Sequence, residues 1–209
     1  QGLMHIVALL EQDAEVAKLE QAFKREPALT VNLLRLTNSV CAGLTVKISS
    51  LRHAITVLGR NQIQRWLQLL LFGQPGGNAV IGENPLMQWA AFRGRFMELL
   101  AARCYAEKKD LGDKAFITGL ISLMPNALGI PLPTILEQIG LPQDVHQALL
   151  ARTGDVGVLL EIAERYDAND VDGIMSVFPR VGSRLNFEAL GQCLTDALAW
   201  VQQLAVEGG

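Results

Sequence analysis

Three histidines, three cysteines and a short charged run are the residues best equipped for chemistry. His5, His53 and His146 fall in three separate helical patterns, and none belongs to an HExxH, an HxH or an adjacent His-Asp pair. A catalytic metal needs several His or carboxylate ligands converging on it. This spacing supplies none locally, so a metal site would have to be assembled by folding from all three histidines. No GxSxG nucleophile elbow and no GxxxxGK[ST] phosphate loop is present. Gly76-Gly77 lacks the following Lys-Ser/Thr and a preceding strand, and reads as a flexible loop. Cys41 lies beside a polar loop without a neighbouring His, which argues against a nucleophile. No catalytic residue, cofactor or metal ligand is assigned.

Two segments resist a purely structural reading. Arg93, Arg95 and Glu98 share one long helix, where Arg95 and Glu98 stand at the i, i+3 spacing of an ion pair. Gly94 within that helix costs about 1 kcal/mol relative to Ala, and close approach of a second helix would explain it. Arg93 or Glu98 is then expected to point inward and pair; the competing reading leaves them on an outer face. The second segment is KAFITGLISLM, Lys114 to Met124, where Phe116, Gly119, Leu120 and Leu123 form an apolar, close-packing face. Ser122 there reads as a helix hydroxyl bonded to a carbonyl one turn back. Asn38 and Ser39, which compete with the backbone for hydrogen bonds, are read as ending a helix and framing a loop. Asn38, Ser39, Arg93, Glu98 and Ser122 are therefore the candidate ligand- or partner-binding residues.

The elements that must position them are helices. Leu3, Ile6, Val7 and Leu10 follow the i, i+3, i+4, i+7 pattern. Asp13 is read as the N-cap of a helix carrying Val16, Leu19, Ala22 and Phe23 on one face. Pro27 suits a first helical turn, and Ser49 or Ser50 caps a helix that ends at Gly59. Asn61 is read as capping the next helix, through Phe72. Residues 74–84, with Pro75 and three glycines, form the clearest loop. Pro85 opens a long helix to about Lys108, and Asp113 is read as capping another to Met124. Later helices are expected over Val156–Tyr166, Val171–Phe178 and Asn186–Val206. No alternating strand pattern persists, so the class is all-α and globular.

Half of the 209 residues are apolar, enough for a sizeable core. The net charge of −3 argues against a general nucleic-acid binder. The charge is uneven, +5 over residues 1–109 and −8 over 110–209. That asymmetry fits two solvated faces, a surface for a charged partner, or two halves packed together. Cys41, Cys104 and Cys193 show no CxxC spacing, which suits reduced thiols in the cytoplasm. No apolar run reaches the ~18 residues of a membrane span. The chain starts at Gln1 with its first Met at Met4, and reads as a fragment of a longer protein with an N-terminal domain.

LLRLTNS (Leu33 to Ser39), KISSLRHAITVLG (Lys47 to Gly59) and IQRWLQLLL (Ile63 to Leu71) resemble the HDOD domain, an HD-related output domain. AFRGRFMELLA (Ala91 to Ala101) and AFITGLISLM (Ala115 to Met124) resemble the subgroup in which that domain follows an EAL domain, the fold of cyclic-di-GMP phosphodiesterases. The resemblance implies one all-helical domain over 1–209, related to the HD phosphohydrolases, with a core at about 13–170 and C-terminal helices over 171–206. Those enzymes bind metal through an adjacent His and Asp. The matching positions here hold Ser122 and Leu123, and the place of an upstream metal-binding His of those enzymes falls near Phe92–Arg93 here. Leu cannot ligate a metal and a cationic Arg would repel one, so the resemblance implies that the hydrolytic site is absent and that Arg93 and Glu98 are polar replacements in it.

The expected function is a non-catalytic signalling module that binds a protein partner or relays a signal to an attached domain, such as an EAL domain. The alternatives are a sensor of a nucleotide or similar anion near Arg93 and, less favoured, a phosphohydrolase with a different metal set. The sequence leaves the oligomeric state open.

Overall fold

The computed structural model describes residues 2–40, 48, 50–72, 85–129, 131–138, 141–182 and 184–207. These form twelve helices, and no strand occurs among the described residues. In chain order they are α1 (Gly2–Glu11), α2 (Val16–Lys24), α3 (Pro27–Val40), α4 (Leu51–Phe72), α5 (Pro85–Cys104) and α6 (Leu111–Ser122). There follow α7 (Met124–Leu128), α8 (Leu132–Gln138), α9 (Gln143–Ala151), α10 (Gly154–Asp167), α11 (Val171–Val181) and α12 (Phe187–Glu207). The all-α reading is correct.

Local chemistry sets most of the boundaries. Pro27 starts α3, where its missing N–H costs nothing. The Ser50 hydroxyl accepts from the His53 N–H at 3.0 Å, capping α4. Gly59 takes φ 74°, ψ 157° and kinks the α4 run, so the expected helix end there is real although helical residues resume at once. The Asn186 carboxamide caps α12 by accepting from the Ala189 N–H at 2.8 Å.

Two expected caps are displaced. Asp13 lies in the turn between α1 and α2 at φ 51°, a left-handed conformation that a short polar residue tolerates, and Glu15 stands at the N-cap. Asp110, not Asp113, occupies the N-cap of α6, and Asp113 sits in its first turn. The α5 helix stops at Cys104, four residues before the expected end. The expected loop over 74–84 and the residues at 41–47 lie outside what the structure describes, whereas Asn61 falls inside the α4 run, two residues past the kink at Gly59.

The α5–α6 hairpin is the centre of the packing, with α12 and α10 laid against α5, and α9 and α10 against α6. The α2 and α3 helices pack on α4, and α3 also reaches α5. One continuous apolar cluster runs from Ile6 and Leu10 through Phe23, Leu33, Phe92, Phe96 and Phe116 to Leu190 and Ala197. Close approach within the hairpin depends on Gly94 and Gly119. A Cβ on Gly119 would lie 2.8 Å from the Arg93 carbonyl oxygen and 2.8 Å from the Gly94 Cα. A Cβ on Gly94 would lie 3.0 Å from the Phe116 carbonyl oxygen. The close helix approach expected from Gly94 is therefore present.

Candidate functional site

The hairpin brings two charged constellations to its two faces. The first is built on Arg93, which is only 7% exposed. Its Nη1 donates to the Ser122 hydroxyl at 2.8 Å, and its Nη2 pairs with the Asp167 carboxylate. The Ser122 hydroxyl in turn donates to the Gly119 carbonyl at 2.7 Å, the expected bond to the preceding turn. A single guanidinium thus joins α5, α6 and the last residue of α10. The ring of Phe92 stacks on Trp89 at 4.7 Å, and Phe92 and Phe96 meet Tyr166, the residue before Asp167, at 6.4 and 6.0 Å.

The second constellation surrounds Lys24, 5% exposed on α2. Its ammonium lies 2.6 Å from Glu98, 3.3 Å from Glu20 and 3.7 Å from Asp113. Glu98 also accepts from Arg95 at 2.6 Å, the pair expected from its i, i+3 spacing. Arg52 holds Glu20 through two contacts at 3.0 and 2.9 Å. Burial pulls the Lys24 pKa down, but Glu98 first and then Glu20 and Asp113 outweigh it, and the net shift is upward. Asp113 is raised, chiefly by burial; Lys24 opposes this and the negative Glu20 and Glu98 add to it. A cleft of about 440 Å³ opens beside this set, with Glu98 and Asp113 at its acidic side, Ala101 and Tyr105 in its wall and Lys108 and Lys109 among its lining.

Of the sequence candidates, Arg93 and Ser122 meet directly, whereas Glu98 belongs to the other constellation. Both Arg93 and Glu98 point inward and pair. The cleft opens at Glu98, and Arg93 does not line it. Asn38 and Ser39 fall in the last turn of α3, so the helix extends just past its expected end, and their side chains lie outside the described residues. Sequence reasoning missed Asp167 and Lys24. The Lys24–Glu98 and Arg93–Asp167 pairs each span 74 residues, so no local spacing reports them, although Glu20 and Lys24 stand at i, i+4.

The other reactive side chains are dispersed. His5, His53 and His146 lie on α1, α4 and α9, and no group of three His, Cys, Asp or Glu residues suited to a metal occurs among the described residues. Cys104 and Cys193 are buried free thiols, and burial, then Cys193, pushes the Cys104 thiol up to about 11, away from the reactive thiolate. Cys41 lies outside the described residues. An HD-type metal does not fit the matching positions. Ser122 is engaged by a guanidinium, Leu123 is buried hydrocarbon, and Arg93 already supplies a fixed positive charge.

A family profile for the HDOD domain matches residues 2–126. The chain belongs to the HDOD family. Among similar proteins, this HDOD chain is 25% identical to Uncharacterized protein YuxH of Bacillus subtilis over 196 residues, covering 94% of the chain and 46% of the relative. It is 25% identical to Cyclic di-GMP phosphodiesterase CdgJ of Vibrio cholerae over 208 residues, covering 96% of the chain and 46% of the relative. The chain thus spans about half the length of the curated relatives it matches. Among solved structures it is similar to the MmoQ response regulator of Methylococcus capsulatus, with a TM-score of 0.61 at 18% identity over 92% of this chain and 95% of that one. That likeness speaks to the fold alone. No helix among the described residues is long and apolar enough to cross a membrane.

Proposed function

We propose that this HDOD domain is a non-catalytic signalling module of the cytoplasm, which binds a protein partner or relays a conformational signal to an attached domain. The observation that carries the reading is the Arg93 guanidinium, bonded to Ser122 and paired with Asp167 where the HD-type resemblance would put a metal. A side chain that brings its own positive charge and engages Ser122 and Asp167 is a poor setting for a metal ion at that place. The family match supports a signalling context, and so does the name of the Vibrio relative. That relative is about twice the length of the matched region, which is consistent with a partner domain of the EAL phosphodiesterase type.

The test is elemental analysis of the purified chain together with assays against cyclic dinucleotides and nucleoside phosphates. We expect no stoichiometric divalent metal and no hydrolysis. Tightly held metal accompanied by turnover would sink the reading. A second reading, small-ligand sensing, is favoured by the cleft beside Glu98, whose Lys108, Lys109 and Tyr105 could meet an anionic, ring-bearing ligand. Calorimetry with cyclic dinucleotides tests it. Unchanged heats after Lys109→Ala would remove the cleft from consideration.

A further inference from the structure

The α10 and α11 helices are tied into one piece. Glu161 of α10 accepts from Arg165 at 2.8 Å and from Arg180 of α11 at 2.6 Å. Asp170, in the turn between them, accepts from Arg165 at 2.7 Å and caps α11 through the Gly173 N–H at 2.9 Å. The α11 helix packs chiefly on α10, and its Phe178 also meets Phe187 of α12 at 5.1 Å. The pair meets the hairpin through α10, which lies on α5 and α6 directly and also on α9, where Arg152 donates to Glu164 at 2.9 Å and α9 in turn packs on α6.

Cations from the α5 side hold both ends of α10. Lys108 pairs with Asp155 in its first turn, and Arg93 pairs with Asp167 at its last residue. The two ends are not equivalent. A carboxylate in a first turn is favoured by the helix dipole, whereas one at the last residue faces the negative end. Asp167 therefore depends on Arg93 in a way that Asp155 does not depend on Lys108. The Arg93 pair is also the more buried, its two side chains 8% and 22% exposed against 47% and 38% for the other. Because the guanidinium is bonded to α6 as well, it cannot follow α10 outward without giving up Ser122. This favours two discrete arrangements, closed and open, over a graded one.

We propose that the Arg93–Asp167 pair is a clasp whose opening releases the C-terminal end of α10, and α11 with it, from the α5–α6 hairpin. This is the motion by which the module passes its signal. The proposal deepens the relay reading and rests on it for the meaning of the motion, but the opening itself is measurable independently.

The test is amide hydrogen exchange on the full chain. Asp167→Asn keeps the shape and removes the charge; Arg93→Met removes the other partner. We expect Asp167→Asn to speed exchange over residues 162–181 by about tenfold, the equivalent of about 1.4 kcal/mol, with α1–α3 and α6 unchanged. Arg93→Met should act on the same segment, and the double variant should be no faster there than the faster single one. Asp155→Asn should leave residues 168–181 at the parent rate. Acceleration spread evenly over α1–α6 overturns the clasp, as does an unchanged 162–181 in Asp167→Asn or an equal effect from Asp155→Asn. Asp167 is a partly exposed helix-end residue, so its variant keeps the question open to refutation if Arg93→Met does not fold. Metal-dependent hydrolysis would defeat the non-catalytic reading and leave the exchange result standing.

Discussion

At the scale of single residues, Lys24 is the cation on which the most buried charge depends. Removing it leaves Glu20 and Glu98 in a low-dielectric place, 5% and 16% exposed, with Arg52 and Arg95 as their remaining cations among the described residues. Breaking such a buried set by deleting one partner costs about 3–5 kcal/mol. We expect Lys24→Met to destabilise by roughly that amount at pH 7 in urea unfolding. The deficit should narrow towards pH 5, because Asp113, already raised by burial and opposed by Lys24, protonates more readily in the folded state than in the unfolded one once that cation is gone. A constant deficit between pH 7 and pH 5 would show that packing, not charge, is what Lys24 supplies. In the parent chain the sign is opposite. The Lys24 pKa is raised above 10.5, so its contribution is full below that pH and is lost as pH rises through the folded value. The sequence revealed this network only in part. Arg95–Glu98 was visible because three residues along a helix is a contact distance. Lys24–Glu98 was not, since it depends on where packing on α4 sets α2 relative to α5.

At the scale of elements, the glycines of the hairpin and of α12 separate two uses of one residue type. Gly119 sits where α6 touches the α5 backbone, and a methyl group there would meet main-chain atoms that cannot turn aside. We expect Gly119→Ala to lower stability by about 1–3 kcal/mol, the usual cost of overpacking, and to shift α5 enough to strain the Arg93–Ser122 bond. Gly191 on α12 has open space where a Cβ would stand, with no atom within 4 Å apart from its chain neighbours and the backbone of its own helix. Gly191→Ala should instead stabilise by about 0.4–1 kcal/mol through reduced unfolded-state entropy and better helix propensity. Thermal melts of the two variants check the pair; a stabilising Gly119→Ala would mean that the hairpin is less tightly packed than described. Elements were the most legible level because caps and breakers act locally. Pro27, Ser50, Gly59 and Asn186 each announced a boundary with a chemistry that the backbone uses there. Asp13 and Asp113 misled because aspartate serves equally well in a left-handed turn or in a helix's first turn. Choosing among those roles requires the tertiary contact, here the pull of Lys24 on Asp113.

At the scale of the whole molecule, the uneven charge along the chain is spent partly inside it. Lys24–Asp113, Arg93–Asp167 and Lys108–Asp155 each join a cation from the first half to an anion from the second. Of the readings open from composition, packing of the two halves therefore takes up a share of the asymmetry, although Arg184–Glu107 runs the other way. The apolar core makes the same connection. The family match ends at residue 126, yet α5 and α6 present Phe92, Phe96 and Phe116 to Tyr166 and Trp200 beyond it. Cutting the chain after Gly129 would expose those rings and leave Arg93 without Asp167, at a cost of about 1.5–3 kcal/mol for each large side chain uncovered. Net stabilities of only about 5–15 kcal/mol do not survive several such losses. We expect the 1–129 fragment to keep helical circular dichroism but to lose a cooperative melt and the dispersion of its amide and methyl resonances, as in compact states without fixed packing. A sharp transition with a well-dispersed spectrum would instead show that the matched region carries its own core and that α8–α12 are an accessory to it.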